Sequence, residues 1–160
     1  MRQEKYELLQ IKENYGRQNT EYALEIDQLK QKCNKFELNI ITPKEGDKVF
    51  SYSLVRGTIS GELPDGQFIW VVSNIESVPG LWWPQEGPIK PLSGLWDADV
   101  WLGSAVDTGK KFSIAVILVN ETDNQVFMKY REEGNETGNF PAIKLPDSAT
   151  IMDSIIVTRI

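Results

Sequence analysis

Histidine is absent from the 160 residues, and cysteine occurs once, at Cys33. Without an imidazole there is no Ser-His-Asp or Cys-His arrangement, no histidine general base, and none of the histidine ligand sets common at zinc and iron. A lone cysteine forms neither an internal disulfide nor a thiolate cluster. Long apolar runs are also missing. The longest, Ile114 to Val119, is six residues, against roughly 20 for a membrane helix. The N-terminus is polar, without the apolar segment of a secretory signal. Clustered Lys and Arg are lacking, and the net charge is -6 with a pI near 4.8. That balance argues against nucleic acid or an anionic membrane surface as partner. No phosphate-binding glycine loop, nucleophile elbow or redox cysteine pair occurs. The chain is expected to be soluble and non-catalytic, with no cofactor, no metal and no direct membrane insertion.

What remains is a folded composition, 41% hydrophobic and 25% charged, divided into two unlike parts. Residues 1–36 contain no proline and a single glycine, Gly16, and are rich in Glu, Lys, Gln and Leu. These are good helix formers. Tyr22, Ile26, Leu29, Cys33 and Phe36 alternate four and three apart, a heptad seam with Ile26 and Cys33 at a and Tyr22, Leu29 and Phe36 at d. Extended backwards, the frame puts Leu8 and Tyr15 at d, and Lys5, Lys12 and Asn19 at a. Ile11 falls outside it unless the phase shifts. Isolated helices are marginal in water, so such a stripe calls for a partner. A coiled-coil stalk is expected over 1–36, homo-oligomeric with a dimer favoured by polar Asn19. The competing expectation is that the stripe packs on the remainder of its own chain. Cys33 at an a position serves as a small apolar residue or, in a parallel dimer, faces its symmetry mate.

From residue 37 the period becomes strand-like. Apolar or β-branched stretches recur at 36–42, 50–59, 68–75, 81–83, 95–102, 112–119 and 151–160, separated by Gly, Pro, Asn and Asp. Seven short strands with regular punctuation predict an antiparallel β-sandwich over 37–160. Pro64-Asp65-Gly66 predicts a tight hairpin turn. Residues 112–119 are apolar on both faces of the pleat and predict a central strand covered on both sides. Val126, Phe127 and Tyr130 predict one short crossing helix over 122–133, capped near Thr122 and Asp123, with 134–138 as a polar loop.

The body also resembles a prokaryotic immunoglobulin-like β-sandwich module of cell-surface and membrane-anchored proteins. The similar residues are Ile41-Thr42-Pro43, Gly46, Val55, Gly57, Leu63-Pro64, Gly66 and Ile69-Trp70. They continue through Trp83-Pro84-Gln85, Trp96, Leu102-Gly103, Leu145-Pro146 and Val157-Thr158-Arg159. The resemblance covers about residues 39–160 and none of its motifs is catalytic. It implies an accessory role at the cell surface or outside the cytoplasm, attached through a segment not in this sequence; a cytoplasmic location stays open.

Five tryptophans are the most suggestive chemistry. Trp70 lies mid-strand and is expected in the core. Along residues 95–102, Trp96, Ala98, Val100 and Leu102 share one face, and Leu95, Asp97, Asp99 and Trp101 the other. Consecutive Trp82 and Trp83 point to opposite sides if extended, leaving one of them free. A saccharide or peptide groove using Trp82, Trp83, Asp97, Asp99 and Trp101 is the alternative function, against the plainer role of packing under loops. Asp97 and Asp99 stand about 6.5 Å apart along one strand. Carboxylates on one strand do not flank a sugar from opposing sides as a glycosidase requires. A calcium site drawn from Asp97, Asp99, Asp107 and Asp123 lacks EF-hand spacing. Asn120-Glu121-Thr122 and Asn135-Glu136-Thr137 are glycosylation patterns expected in loops.

Overall fold

The computed structural model describes residues 2–33 and 35–160, except for the side chains of Arg2, Lys32 and Cys33. The chain divides into two compact units, Met1–Lys35 and Phe36–Ile160. The first is a single helix, α1 (Arg2–Cys33). At 1.5 Å per residue it runs about 48 Å. Its one glycine does not interrupt it, and Thr20 donates its hydroxyl to the Gly16 carbonyl at 2.9 Å, one turn back. Every described side chain along it is exposed.

The second unit is mostly β, with strands β1 (Glu37–Thr42), β2 (Lys48–Val49), β3 (Tyr52–Ser60), β4 (Gln67–Ile75), β5 (Trp83–Glu86), β6 (Leu95–Trp101), β7 (Lys111–Asn120) and β8 (Thr150–Arg159). A short 3-10 turn at Ala105–Asp107 precedes β7, and helix α2 (Glu121–Thr137) joins β7 to β8. The strands form two sheets, ordered β1-β3-β6 and β2-β8-β7-β4-β5. Their facing sides share one core in the manner of a β-sandwich: Val55, Trp96, Ala98 and Val100 on one side meet Val71, Ile114, Val116 and Val157 on the other.

Strand β7 is the middle of the larger sheet because both its faces are apolar. Phe112, Ile114, Val116 and Leu118 face the smaller sheet. Ala115, Ile117 and Val119 join a second core with Trp70, Val72 and Phe127, roofed by α2. The Trp70 indole N–H donates to the Asn124 side-chain carbonyl at 2.9 Å. Phe127 meets the Trp70 ring edge-on, with centroids 5.2 Å apart. Helix α2 begins where the Asn120 side chain accepts the Asp123 N–H at 2.9 Å, satisfying an orphan donor of the first turn. It ends at Gly138, whose φ of 70 lies in the left-handed region.

Several sequence expectations are corrected here. The sandwich is not wholly antiparallel: β2, too short to announce itself by alternation, pairs parallel with β8. Pro64-Asp65-Gly66 makes a turn, closed by Gln67 N–H to Pro64 carbonyl at 3.1 Å, yet it is not a hairpin, since β3 and β4 belong to different sheets. The cap of α2 is Asn120 rather than Thr122 or Asp123. Residues 134–137 continue the helix instead of forming a loop. Gly134 is tolerated there because any Cβ would collide with the ring of Phe140, which folds back over it. Phe36, counted as the last d position of the seam, packs instead against the core between the sheets. Cys33, the seam's last a residue, lies outside the described side chains.

Side chains occupy backbone donors at several strand borders. The Asp153 carboxylate accepts the Ile40 N–H at 2.8 Å, and Glu45 accepts the Ile156 N–H at 2.7 Å. On β6, the outer strand of the smaller sheet, Glu86 accepts the Asp99 N–H and the Gln85 carbonyl accepts the Trp101 N–H at 2.8 Å. These are backbone donors that an added strand would otherwise use.

Candidate functional site

The β6 alternation sorts the nominated residues cleanly. Trp96, Ala98 and Val100 are buried, while Leu95, Asp97, Asp99 and Trp101 are exposed, Trp101 at 60%. In register, Trp101 lies opposite Tyr52, Asp99 opposite Leu54 and Asp97 opposite Arg56. The Tyr52 and Trp101 rings contact with centroids 5.0 Å apart, tilted by 56°. Cross-strand aromatic pairs of this kind stiffen a sheet face and present a broad apolar platform. The Asp99 carboxylate beside the Tyr52 hydroxyl raises the tyrosine pKa above its ordinary range, because it stabilises the protonated phenol and repels the phenolate.

The two consecutive tryptophans part ways. Trp82 packs into the core beneath α2, and Trp83 against the core between the sheets; both are half-buried, so neither is the free ring expected from their adjacency. Trp82 also exchanges backbone hydrogen bonds with Ile143, at 2.7 and 2.8 Å, which hold it inward. Trp83 keeps one side toward a cleft, and its indole N–H donates to the Phe140 carbonyl at 3.0 Å.

That cleft, about 860 Å³, is where Trp83 and Trp101 come together. Gln85 explains the convergence. Its buried amide donates to the Ser73 hydroxyl at 2.7 Å, while its carbonyl accepts the Trp101 N–H, so one side chain ties β5 of the larger sheet to β6 of the smaller. Tyr130, Arg131 and Asn135 of α2 also line the cleft. The Tyr130 hydroxyl is buried without a hydrogen-bond partner. Burial pushes its pKa up, with the Arg131 charge opposing. At the other end Lys110 bonds Asp107 at 2.7 Å. This contact, with the Ser104 N–H, holds the Asp107 carboxyl below the usual carboxylate range.

Sequence reasoning nominated Trp83 and Trp101 but not Tyr52, Gln85, Tyr130, Arg131 or Asn135. Tyr52 is identified only by strand register; Tyr130 and Arg131 fall within the helix predicted over 122–133, and only Asn135 depends on that helix continuing past Glu133. Asp97 and Asp99 stay on the outer sheet face and do not line the cleft. Among the described residues no group of three or more acidic or thiol side chains is placed to hold a metal ion. Asn120 is half-buried and occupied as the α2 cap, and Asn135 sits in the last turn of that helix, so neither glycosylation pattern is in a loop. No family model matches the chain, and a search of curated proteins finds no significant match.

Proposed function

We propose that this chain is a non-catalytic interaction or domain-positioning module that assembles as a homodimer through α1. In this proposal the β body is an immunoglobulin-like domain of the surface-associated kind its sequence resembles. The observation that carries the proposal is the exposure of Tyr22, Ile26 and Leu29, at 59%, 51% and 54%, along a helix of 32 residues. A helix with no core of its own gains stability by pairing its apolar stripe. Sedimentation velocity of the whole chain at micromolar concentration is expected to show a dimer. The Ile26→Lys, Leu29→Lys double variant is expected to sediment as a monomer, since two buried charges at a and d oppose the pairing. A wild-type chain that is monomeric at high micromolar concentration refutes the assembly.

A second reading, a saccharide-binding module, is favoured by one specific observation. Trp83 and Trp101, from different sheets, line the same cleft, and Tyr52 extends the Trp101 platform. Flat aromatic rings beside polar groups suit the apolar faces and hydroxyls of sugar rings. Quenching of tryptophan fluorescence by soluble polysaccharides tests it, with Trp101→Ala as the control expected to abolish the response.

A further inference from the structure

The cleft is lined by two kinds of side chain, and their combination specifies more than a generic sugar. Trp83, Trp101 and Phe140 are aromatic, whereas Tyr130, Arg131 and Asn135 of α2 are polar. Its volume, about 860 Å³, falls in the range of ligand sites, roughly 300–1,000 Å³. Three formal charges line it: Asp107, Lys110 and Arg131. The first two neutralise one another through their 2.7 Å contact. Arg131 has no carboxylate partner among the described residues, although the whole chain carries a net charge of -6. Glu132 and Glu136 do not line the cleft, and they border a neighbouring depression that Arg131 and Asn135 also line.

We infer that this cleft binds a carboxylate-bearing saccharide, such as a uronic acid oligomer, with the sugar faces on Trp83 and Trp101 and the carboxylate on Arg131. The inference rests on the saccharide reading above and narrows it to acidic sugars. A guanidinium offers a carboxylate two parallel N–H donors, stronger than neutral hydrogen bonds and directional. Asn135 adds an amide with both donor and acceptor capacity for ring hydroxyls. The assignment of roles is therefore stacking by the β strands and polar reading by the helix.

The test uses the whole chain and three probes: oligogalacturonides, alginate oligomers and hyaluronan oligosaccharides, each beside its methyl ester. Esterification removes the charge and keeps the rings. Isothermal titration is expected to show that at least one acid form binds and that its ester binds at least tenfold more weakly. Arg131→Gln should cost the acid form about tenfold, the scale of one charge-assisted hydrogen bond, and leave the ester unchanged. Trp101→Ala should abolish binding of both forms. Near-ultraviolet circular dichroism checks that each variant retains its packing. Equal binding of acid and ester overturns the acidic assignment while leaving a saccharide site. Binding that survives Trp101→Ala moves the site out of this cleft. No binding of any acid or neutral saccharide overturns the inference and the saccharide reading together.

Discussion

Along α1, Ile26 and Leu29 remain about half exposed, whereas Val71, Val116 and Val157 in the β body are completely enclosed. The two regions differ less in apolar content than in where its partners come from. In the body, each apolar face has a facing layer within the same unit: sheet against sheet, and sheet against α2. In the helix the apolar residues recur at seam spacing with nothing inside their own unit to cover them. The core of the body is therefore supplied by residues 36–160 themselves, while under the proposed assembly the helix would depend on a partner copy and hence on concentration. Surface burial stabilises the body, whereas the described side chains of the helix bury none of their apolar surface deeply within their own unit.

This contrast can be broken most forcefully at the α2 core. Phe127→Ala removes a ring 1% exposed that abuts Trp70, and about 3–5 kcal/mol of stability should be lost. Urea unfolding followed by tryptophan fluorescence measures it. Leu29→Ala in the helix should leave that transition where it is, and a shared shift would end the division of labour. Asn124→Leu has a smaller expected effect. It leaves the Trp70 indole N–H buried without its acceptor, a cost of about 1–3 kcal/mol, read in the same titration.

The smallest effect concerns the exposed sheet face. With Asp99 raising the Tyr52 pKa, the folded state favours the neutral phenol. Its stabilising contribution is present below the ordinary tyrosine pKa and is lost as pH rises through the folded value. In Asp99→Asn the Tyr52 phenol, followed by its ultraviolet absorbance, should titrate at lower pH, closer to free tyrosine. An unchanged titration would mean that Asp99 does not govern this hydroxyl.

The parts of the molecule legible from sequence are those governed by a single local period. The Trp96, Ala98, Val100 and Leu102 face follows from alternation alone, and the double-sided apolar run of β7 announces a strand covered above and below. What alternation does not carry is partnership. Nothing local tells β3 and β4 that they lie in different sheets, or that two residues of β2 pair parallel with β8. The continuation of α2 through Gly134 depends on Phe140, six residues later, needing the space a side chain would take. The same holds at the cleft. Trp83 and Trp101 are visible as aromatic residues, but their convergence depends on Gln85 reaching from one sheet to a backbone N–H of the other. Arg131 gains its significance only from having no carboxylate partner among the described residues, a property of tertiary surroundings.

The side-chain closure of the strand borders has a consequence for crowding. If several copies gather on shared stalks, each body meets its neighbours at high local concentration, the condition under which open strands recruit one another into fibrils. Here the N–H groups of Ile40, Asp99, Trp101 and Ile156 are already spoken for by Asp153, Glu86, Gln85 and Glu45. A neighbour's strand therefore finds these four donors taken, which disfavours the lengthening of a sheet at those borders.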